Sequence, residues 1–389
     1  MVVEIFKKLT KLKRCSFNTE EIEEFIIEYS KKYGYKIKRD SYGNILAYKN
    51  TPKLAFQAHL DMVCVGDYEN IEVIEEDGFL RAKNSSLGAD NGVGIAIMLY
   101  LMSKYDDLEF LFTKDEEVGL IGAMNLELSI KSKYLVNLDS EDDEVIIIGS
   151  AGGFDVEIEY EESFEEIRGV VGEIVVDKLP GGHSGIDIDK NIPNAIKELL
   201  KRVQYTTYLK GGERRNSIPL KAFSKEVFSG DEVIKVYSKE YISFLKNLPH
   251  GVLEYDFKYK VPLKSVNFAL LDGFKSVLSA RAGSNKKLDE LKEYIIEKVK
   301  HTSYKITSFY PAWEGKENSL SVLLQKITKA KPIIIHAGLE CGILQNKLNV
   351  EIVSYGPLIK NPHSIRERVK INSIYKVLDS IEKLYENIS

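Results

Sequence analysis

The stretch Leu54-Ala55-Phe56-Gln57-Ala58-His59-Leu60-Asp61 is a short apolar run that ends in a histidine and an aspartate. A run of this length is typical of a buried strand, which we expect at 54–58. Because residues i and i+2 of an extended chain face the same way, His59 and Asp61 should project together past the strand's carboxyl end. Open α/β sheets place their sites there. Imidazole is a good zinc ligand, and a nearby carboxylate can fix its tautomer. Alone, the pair is equally compatible with a structural role.

Other apolar strands alternate with helices on both sides of this stretch. Residues 1–33 predict two helices, of which the second runs from Thr19 to Tyr33, and a hairpin follows. The remaining predicted strands are 45–48, 109–112, 134–138, 145–148, 332–336 and 351–355, and the remaining predicted helices are 92–102, 320–328 and a last one capped by Asn372. This alternation indicates an α/β fold with a mostly parallel central sheet.

The pattern changes after about Asp155. An acidic stretch at 157–166 predicts a connecting strand and a surface loop, and then a strand (170–178), a helix (194–203) and further helices and strands follow to about Ile306. A length of 389 residues suits two domains. We therefore predict a catalytic domain formed by 1–155 and 308–389, and a smaller α/β lid domain, 156–307, inserted into it.

Composition excludes several classes of protein. The 54 basic and 59 acidic residues give a formal net charge of -5, which provides no electrostatic reason for a nucleic-acid partner. No run approaches the roughly 20 apolar residues of a membrane span, and the N-terminus lacks the pattern of a signal peptide. The three cysteines, Cys15, Cys64 and Cys341, are scattered and lack CxxC spacing. We therefore expect neither a disulfide framework nor a thiolate zinc site, and a cytoplasmic protein.

A glycine-rich stretch places an acid where the backbone must turn tightly. In Leu87-Gly88-Ala89-Asp90-Asn91-Gly92-Val93-Gly94, three glycines surround Asp90 at the start of a predicted helix. Such a turn could also bind a dinucleotide, as in an oxidoreductase. However, the spacing is GxxxGxG rather than GxGxxG, and no apolar strand leads into it. An acid held here could instead bridge two metal ions.

More candidate ligands follow other strands. Glu116 and Glu117 lie just past the strand 109–112, close in sequence to Asp115 and Glu109. Such a charge run is usually solvated, but after a buried strand one glutamate can bind metal while its neighbour acts as a base. Asp139 ends another strand, and His363 lies in a loop. Ligands of these types suit zinc, manganese or cobalt.

Taken together, the motifs resemble the zinc aminoacylase/carnosinase superfamily of metallopeptidases, and within it the aminoacyl-histidine dipeptidases (Xaa-His dipeptidases, peptidase D). The stretches that carry the resemblance span nearly the whole chain: FQAHLDMVC (56–64), SLGADNGVGIA (86–96), TKDEEVGLIGA (113–123), LVNLDSED (135–142), GSAGG (149–153), LPGGHSGIDI (179–188), RNSIP (215–219), HAGLECG (336–342) and YGP…NPHS (355–364).

The resemblance implies a role for each matching residue. His59 and Asp139 would hold one metal ion, Glu117 and His363 a second, and Asp90 both. Asp61 would orient His59, and Glu116 would be the general base and then the acid. The Asp90–Asn91 peptide would be cis.

The resemblance also implies substrate contacts. His183 would stabilise the oxyanion, from its own subunit or from a partner's in a homodimer formed through the lid. Asn216 would contact substrate, Arg281 would pair with the substrate carboxylate, because guanidinium binds carboxylate in a bidentate manner, and Glu340 would recognise the free α-amine. We expect His336 to be structural, and His250 and His301 to lie on the surface.

These inferences predict a cytoplasmic metallopeptidase that hydrolyses dipeptides with free termini, of the Xaa-His type. It would bind two divalent ions, with zinc as the first candidate and manganese or cobalt as the others. Because the chain is shorter than usual Xaa-His dipeptidases, chiefly in the lid, the preference for histidine does not transfer with the metal site. The alternatives are a tripeptide aminopeptidase, an N-acyl amino acid deacylase, and a non-catalytic peptide- or metal-binding protein on the same scaffold.

Overall fold

A computed structural model describes residues 1–388. The chain forms two compact units, one made of Met1–Gly149, Gly315–Ile334 and Leu339–Ser389, the other of Ser150–Glu314 and Ile335–Gly338. Among the described residues, no helix is long and apolar enough to cross a membrane.

The first part of unit 1 contains four helices and eight strands. They are α1 (Val2–Leu9), α2 (Glu20–Lys32), β1 (Lys36–Arg39), β2 (Ile45–Tyr48), β3 (Leu54–His59), β4 (Val73–Glu76), β5 (Phe79–Ala82), α3 (Ala89–Met102), β6 (Leu108–Thr113), α4 (Ile121–Met124), β7 (Tyr134–Asn137) and β8 (Val145–Ser150). A short 3-10 turn spans Tyr68–Asn70. The predicted helices and hairpin of this part are confirmed.

Unit 2 contains ten strands and three helices. They are β9 (Gly152–Glu159), β10 (Phe164–Val176), β11 (Gly182–His183), α5 (Ala195–Leu200), β12 (Thr206–Gly211), β13 (Ser217–Ile218), β14 (Ala222–Tyr237), α6 (Lys239–Asn247), β15 (Gly251–Asp256), β16 (Val261–Asp272), β17 (Lys275–Ala282), α7 (Asn285–Val299) and β18 (Ser303–Tyr310).

The chain then completes unit 1 with α8 (Ser319–Thr328), β19 (Lys331–Ile335), α9 (Cys341–Leu348), β20 (Glu351–Ser354), β21 (Ile359–Lys360), β22 (Arg368–Lys370) and α10 (Ile371–Asn387). The predicted cap of the last helix is wrong. Because β22 runs directly into α10, the N-cap is Lys370, and Asn372 lies within the first turn.

The main sheet of unit 1 has the order β1-β2-β6-β3-β7-β20-β8-β19. Its central strands β6, β3, β7 and β20 are parallel to one another, as predicted, whereas β1, β2 and β8 pair antiparallel. Every residue of β3 and β6 is buried, as expected for strands covered on both faces. The carboxyl ends of β3, β6 and β7 therefore meet at one edge, where the candidate ligands follow.

Helix α3 packs in the core of this unit. It is apolar on all sides, and of its 14 residues only Tyr100 is not fully buried. A helix of this kind must be covered all round. Its first turn, which carries Asp90, is consequently anchored by the core.

Unit 2 is built on a largely antiparallel sheet of order β10-β14-β12-β16-β17-β9-β18, with β15 paired to β16. Helices α5, α6 and α7 contribute buried residues to its apolar core. The small sheet β11-β13 places His183 opposite Ser217.

The expectation that the cysteines form no disulfide is wrong for one pair. Cys15 and Cys64 are bonded across 49 positions, and Cys341 is free and buried. The backbone N–H of Met62 donates to the Arg14 carbonyl at 2.9 Å, so the N-terminal segment runs beside the chain that leaves β3. Sequence spacing alone does not reveal this adjacency.

Candidate metal centre

The five predicted ligands come together at the carboxyl edge of the main sheet. His59 is the last residue of β3, Glu117 follows β6, and Asp139 follows β7. Asp90 lies in the first turn of α3 and His363 in the loop after β21. Their ligand atoms form two groups, His59–Asp90–Asp139 and Asp90–Glu117–His363, within each of which all atoms lie within 4.8 Å of one another.

Asp90 joins the two groups. Its Oδ1 lies 3.0 Å from His59 Nε2, and its Oδ2 lies 3.0 Å from His363 Nε2. Asp139 Oδ1 lies 3.3 Å from His59 Nε2, and Glu117 Oε2 lies 3.0 Å from His363 Nε2. Each imidazole therefore presents the same nitrogen to the shared carboxylate and to a second carboxylate of its own.

Asp61 supports both His59 and the two glutamates. Its carboxylate lies 3.5 Å from His59 Nδ1, whose nearest partner is the Asp61 carbonyl at 3.1 Å. The same carboxylate accepts the backbone N–H groups of Glu116 at 3.0 Å and Glu117 at 3.2 Å. The hydroxyl of Ser16 donates to it at 2.7 Å.

The backbone at Asp90 is as tight as the glycines predict. Gly88 has φ +66°, and a Cβ on Gly94 would collide with the Asn91 side chain. The Asp90–Asn91 peptide is cis, as the resemblance implies. The N–H groups of residues 87–90 donate to the carboxylate of Glu367. They are therefore committed to a protein group and do not offer a phosphate-binding loop, which argues against the dinucleotide alternative.

The cluster holds more negative charge than its two histidines balance. Burial and the Asp90 carboxylate raise the pKa of Glu141 to about 8, and burial raises the pKa of Asp139 to about 6 even beside His59. Burial lowers the pKa of His363, but hydrogen bonds and charges from Asp90 and Glu117 outweigh it and raise the pKa to about 12. A divalent cation would relieve this repulsion.

The donor set fits a divalent metal. Oε1 of Glu117 is buried, and no described residue hydrogen-bonds to it, so a ligand atom remains available in the middle of the cluster. Imidazole and carboxylate ligands are those of zinc, manganese and cobalt sites. The arrangement can therefore hold divalent metal ions.

Glu116 lies beside these ligands. One of its carboxylate oxygens lies within 4.8 Å of ligand atoms of His59 and Glu117. Burial, reinforced by the carboxylates of Glu117 and Asp139, raises its pKa well above the usual value. A carboxylate with a raised pKa is a stronger base than an ordinary glutamate and is suited to accept and return a proton.

Two acidic residues named with the motifs do not belong to the groups of ligand atoms. Glu109 does not join the acids that follow its strand: it is buried and accepts the N–H groups of Lys131 and Ser132. Glu340 is completely buried and accepts hydrogen bonds from Gln57 at 2.6 Å and Thr113 at 2.8 Å. Its other oxygen is also buried, without a hydrogen-bond partner among residues 1–388.

The other predicted substrate residues lie in unit 2. His183 Nδ1 accepts the backbone N–H groups of Gly185 at 3.2 Å and Ile186 at 3.1 Å, which places the ring proton on Nε2. The Asn216 carbonyl accepts the N–H of Ser184 at 2.9 Å. Arg281 donates to the hydroxyl of Tyr310, while its Nε is buried and has no partner among the described residues.

The three remaining histidines differ in how deeply they are buried. His336 is structural, as expected: it is buried in unit 2, with Nε2 2.7 Å from the Ser265 hydroxyl. His301 is exposed, as expected. The expectation for His250 is wrong, because it is half-buried and burial lowers its pKa to about 4.

Sequence reasoning missed Arg14, Ser16 and Glu367. The first two precede and follow a cysteine near the N-terminus, and Glu367 sits in the charged run Arg366-Glu367-Arg368. Each resembles an ordinary surface residue. For Glu367 the only available signal was its position four residues after His363.

The chain is similar to known peptidases. The model of Peptidase family M28 matches residues 44–174. The Escherichia coli protein named cytosol non-specific dipeptidase is 27% identical over 455 aligned positions, which cover 95% of this chain and 94% of that protein.

Solved structures show the same fold. Aminoacylhistidine dipeptidase from Vibrio alginolyticus superposes with a TM-score of 0.81 at 24% identity, over 100% of this chain and 96% of that one. A Staphylococcus aureus tripeptidase gives a TM-score of 0.63 at 17% identity, over 100% and 97%. The comparisons confirm the resemblance that the motifs indicate, and the chain is a hydrolase of the metallopeptidase type.

Proposed function

We propose that this peptidase hydrolyses dipeptides with free termini, Xaa-His dipeptides among them, at a centre of two metal ions. The observation that carries the proposal is the position of Asp90, whose two carboxylate oxygens each lie 3.0 Å from a different imidazole nitrogen. A carboxylate so placed can bridge two ions. The similarity to dipeptidases over nearly the full length supports the substrate class.

Each ion would have its own ligands besides Asp90. His59 and Asp139 would hold one, and Glu117 and His363 the other. Zinc is the first candidate, with manganese and cobalt next. Two such ions, when bound, lower the pKa of a water and polarise the scissile carbonyl.

The protein's own groups would move the protons. Glu116, whose pKa is raised by burial, would accept a proton from the attacking water and then donate it to the leaving amine. Asp61 would hold His59 in place and, through the backbone N–H of Glu116, hold the base beside it.

Other residues would bind the rest of the substrate. His183 has its ring proton on Nε2 and so can donate a hydrogen bond to the oxyanion. Arg281, whose Nε has no described hydrogen-bond partner, would bind the carboxylate of the peptide, and Asn216 would contact it nearby. Glu340 would recognise the α-amine.

We further propose a role for the inserted domain, an oligomeric state and a cellular location. The inserted domain, 156–307 by sequence, would act as a lid, and a homodimer would form through it, so that His183 serves its own subunit or a partner's. The name of the E. coli relative supports a cytoplasmic location.

A substrate panel tests the proposal. Purified protein is loaded with zinc, manganese or cobalt and incubated with Ala-His, carnosine, Leu-Gly, a tripeptide and N-acetylated dipeptides, with a chelator as control. We expect chelator-sensitive cleavage of free dipeptides. The proposal fails if protein with two bound ions leaves every free dipeptide intact.

The same panel addresses a second candidate. This candidate is a tripeptide aminopeptidase, and the match to a tripeptidase structure is the observation that supports it. That activity would release the first residue of the tripeptide faster than it cleaves any dipeptide. Preference for the N-acetylated substrates would instead indicate a deacylase.

A further inference from the structure

The carboxylate of Glu367 is buried against the backbone that precedes Asp90. The residue is only 2% exposed. Its Oε2 accepts the N–H groups of Leu87 at 2.7 Å and Gly88 at 2.9 Å. Its Oε1 accepts those of Ala89 at 2.7 Å and Asp90 at 3.3 Å. One side chain thus satisfies four successive backbone donors, the last of which belongs to Asp90 itself.

Arg14 contacts the same segment. It is 1% exposed, and its guanidinium donates to the carbonyl of Gly88. It also donates to the carbonyls of Leu60 at 3.2 Å and Asp61 at 3.3 Å. A Cβ on Gly88 would collide with this guanidinium, so the glycine is required by the close approach as well as by its positive φ. Arg14 therefore ties the turn before Asp90 to the chain that follows His59.

Glu367 also ties this turn to the loop of the second histidine. It follows His363 by four residues, and its backbone N–H donates to the Ser364 carbonyl at 3.0 Å. The three segments that carry His59, Asp90 and His363 are consequently linked by two charged side chains that do not themselves approach as ligands. Groups that orient ligands in this way set the affinity of a metal site.

We propose that Glu367 and Arg14 are positioning residues that fix Asp90 between the two histidines and so determine how tightly the metal ions bind. The inference rests on the proposed two-metal centre but not on the identity of the substrate. Glu367 would therefore determine the affinity and the geometry of the centre, and it would also provide the stability that any buried, hydrogen-bonded carboxylate provides.

The chain offers a matched control in Glu109. It is 1% exposed and, like Glu367, accepts backbone N–H groups, here the two of Lys131 and Ser132. It contacts none of the proposed ligands. Glu109→Gln therefore disturbs a comparable buried carboxylate in the same unit. It shows how far the loss of such a carboxylate alone lowers the Tm and changes metal affinity.

The test compares Glu367→Gln, Glu109→Gln and wild type. Binding of Zn²⁺ is measured by calorimetry, the Co²⁺ form is examined by absorption spectroscopy, and the Tm of the metal-free protein is recorded. We expect Glu367→Gln to lower metal affinity by about 10- to 100-fold and to change the Co²⁺ spectrum. Glu109→Gln should lower the Tm by a similar amount while leaving affinity and spectrum as in wild type.

Two results would overturn the inference. One is wild-type affinity and spectrum in Glu367→Gln, and the other is an equal loss of affinity in Glu109→Gln. Arg14→Lys provides a second test that does not depend on the folding of Glu367→Gln. Lysine keeps the charge, but its single nitrogen cannot replace both Nη1, which donates to Leu60 and Asp61, and Nη2, which donates to Gly88, so metal affinity should fall here too. A wild-type protein that binds two ions tightly but cleaves no peptide would refute the proposed function and leave this inference intact.

Discussion

The carboxylate of Asp61 accepts the backbone N–H of Glu116 at 3.0 Å, although the two residues follow different strands. The same carboxylate also approaches Nδ1 of His59 at 3.5 Å. One aspartate therefore fixes a proposed metal ligand and the proposed base relative to each other. This is more than the orientation of a histidine that the resemblance implies.

Asp61→Asn tests this double role. The amide keeps the volume but replaces one acceptor oxygen with a donor, which opposes either the N–H of Glu116 or that of Glu117. We expect kcat to fall by about 10- to 100-fold, with KM changed much less. Steady-state kinetics with the best dipeptide of the panel measure both constants. An unchanged kcat would remove Asp61 from the positioning of the base.

Glu116→Gln should separate metal binding from catalysis. The substitution removes the group that accepts the proton but none of the five proposed ligands. We expect kcat to fall by about 10²- to 10⁴-fold, while two ions per chain remain bound, as measured by elemental analysis after gel filtration. Glu117→Gln is the comparison, because it should lose metal as well as activity. A Glu116→Gln protein with normal turnover would disprove the assignment of the base.

Part of the proposed metal centre was predictable, because three of its candidate ligands follow apolar strands that the alternation with helices predicts to be parallel. His59 ends such a strand and Asp139 follows another by two residues, and the carboxyl ends of parallel strands meet at one edge. The family motifs then supply Asp90 and His363, which local pattern alone does not connect to that edge.

The supporting residues were not predictable because their contacts join distant segments. Glu367 meets Leu87 across 280 positions, and Arg14 meets Gly88 across 74. A charged residue in a polar run gives no sign of burial, since its pairing is created only by the fold. The disulfide between Cys15 and Cys64 was missed for the same reason.

Glu340 should make the stability of the metal-free protein depend on pH. Burial raises its pKa to about 7, above the ordinary value of about 4.5. The folded state therefore holds this proton more tightly than the unfolded state. The contribution of Glu340 to the free energy of unfolding is greatest below pH 4.5. It falls by roughly 3 kcal/mol as pH rises to about 7, at 1.36 kcal/mol per pKa unit.

Glu340→Gln isolates this effect, because other carboxylates titrate in both proteins. Urea unfolding in the presence of chelator gives the free energy of unfolding at pH 5 and at pH 8. We expect the variant to gain stability relative to wild type between these values. A difference between the two proteins that stays constant with pH would mean that Glu340 is not buried as a titrating carboxyl.

The disulfide should stabilise the segment that carries Arg14 and Ser16. Cys15 lies between these two residues, which contact the Asp61 carbonyl and carboxylate respectively. A cross-link over 49 positions is expected to contribute about 2–4 kcal/mol by restricting the unfolded chain. Cys15→Ser should therefore lower the Tm, and reductant should lower the Tm of wild type but not of this variant.

Cys341→Ala is the control, because its thiol is free and the response to reductant should persist. Alkylation of the denatured, unreduced protein followed by mass spectrometry counts thiols directly: one modified cysteine supports the bond, whereas three would exclude it and leave Arg14 and Ser16 held by hydrogen bonds alone.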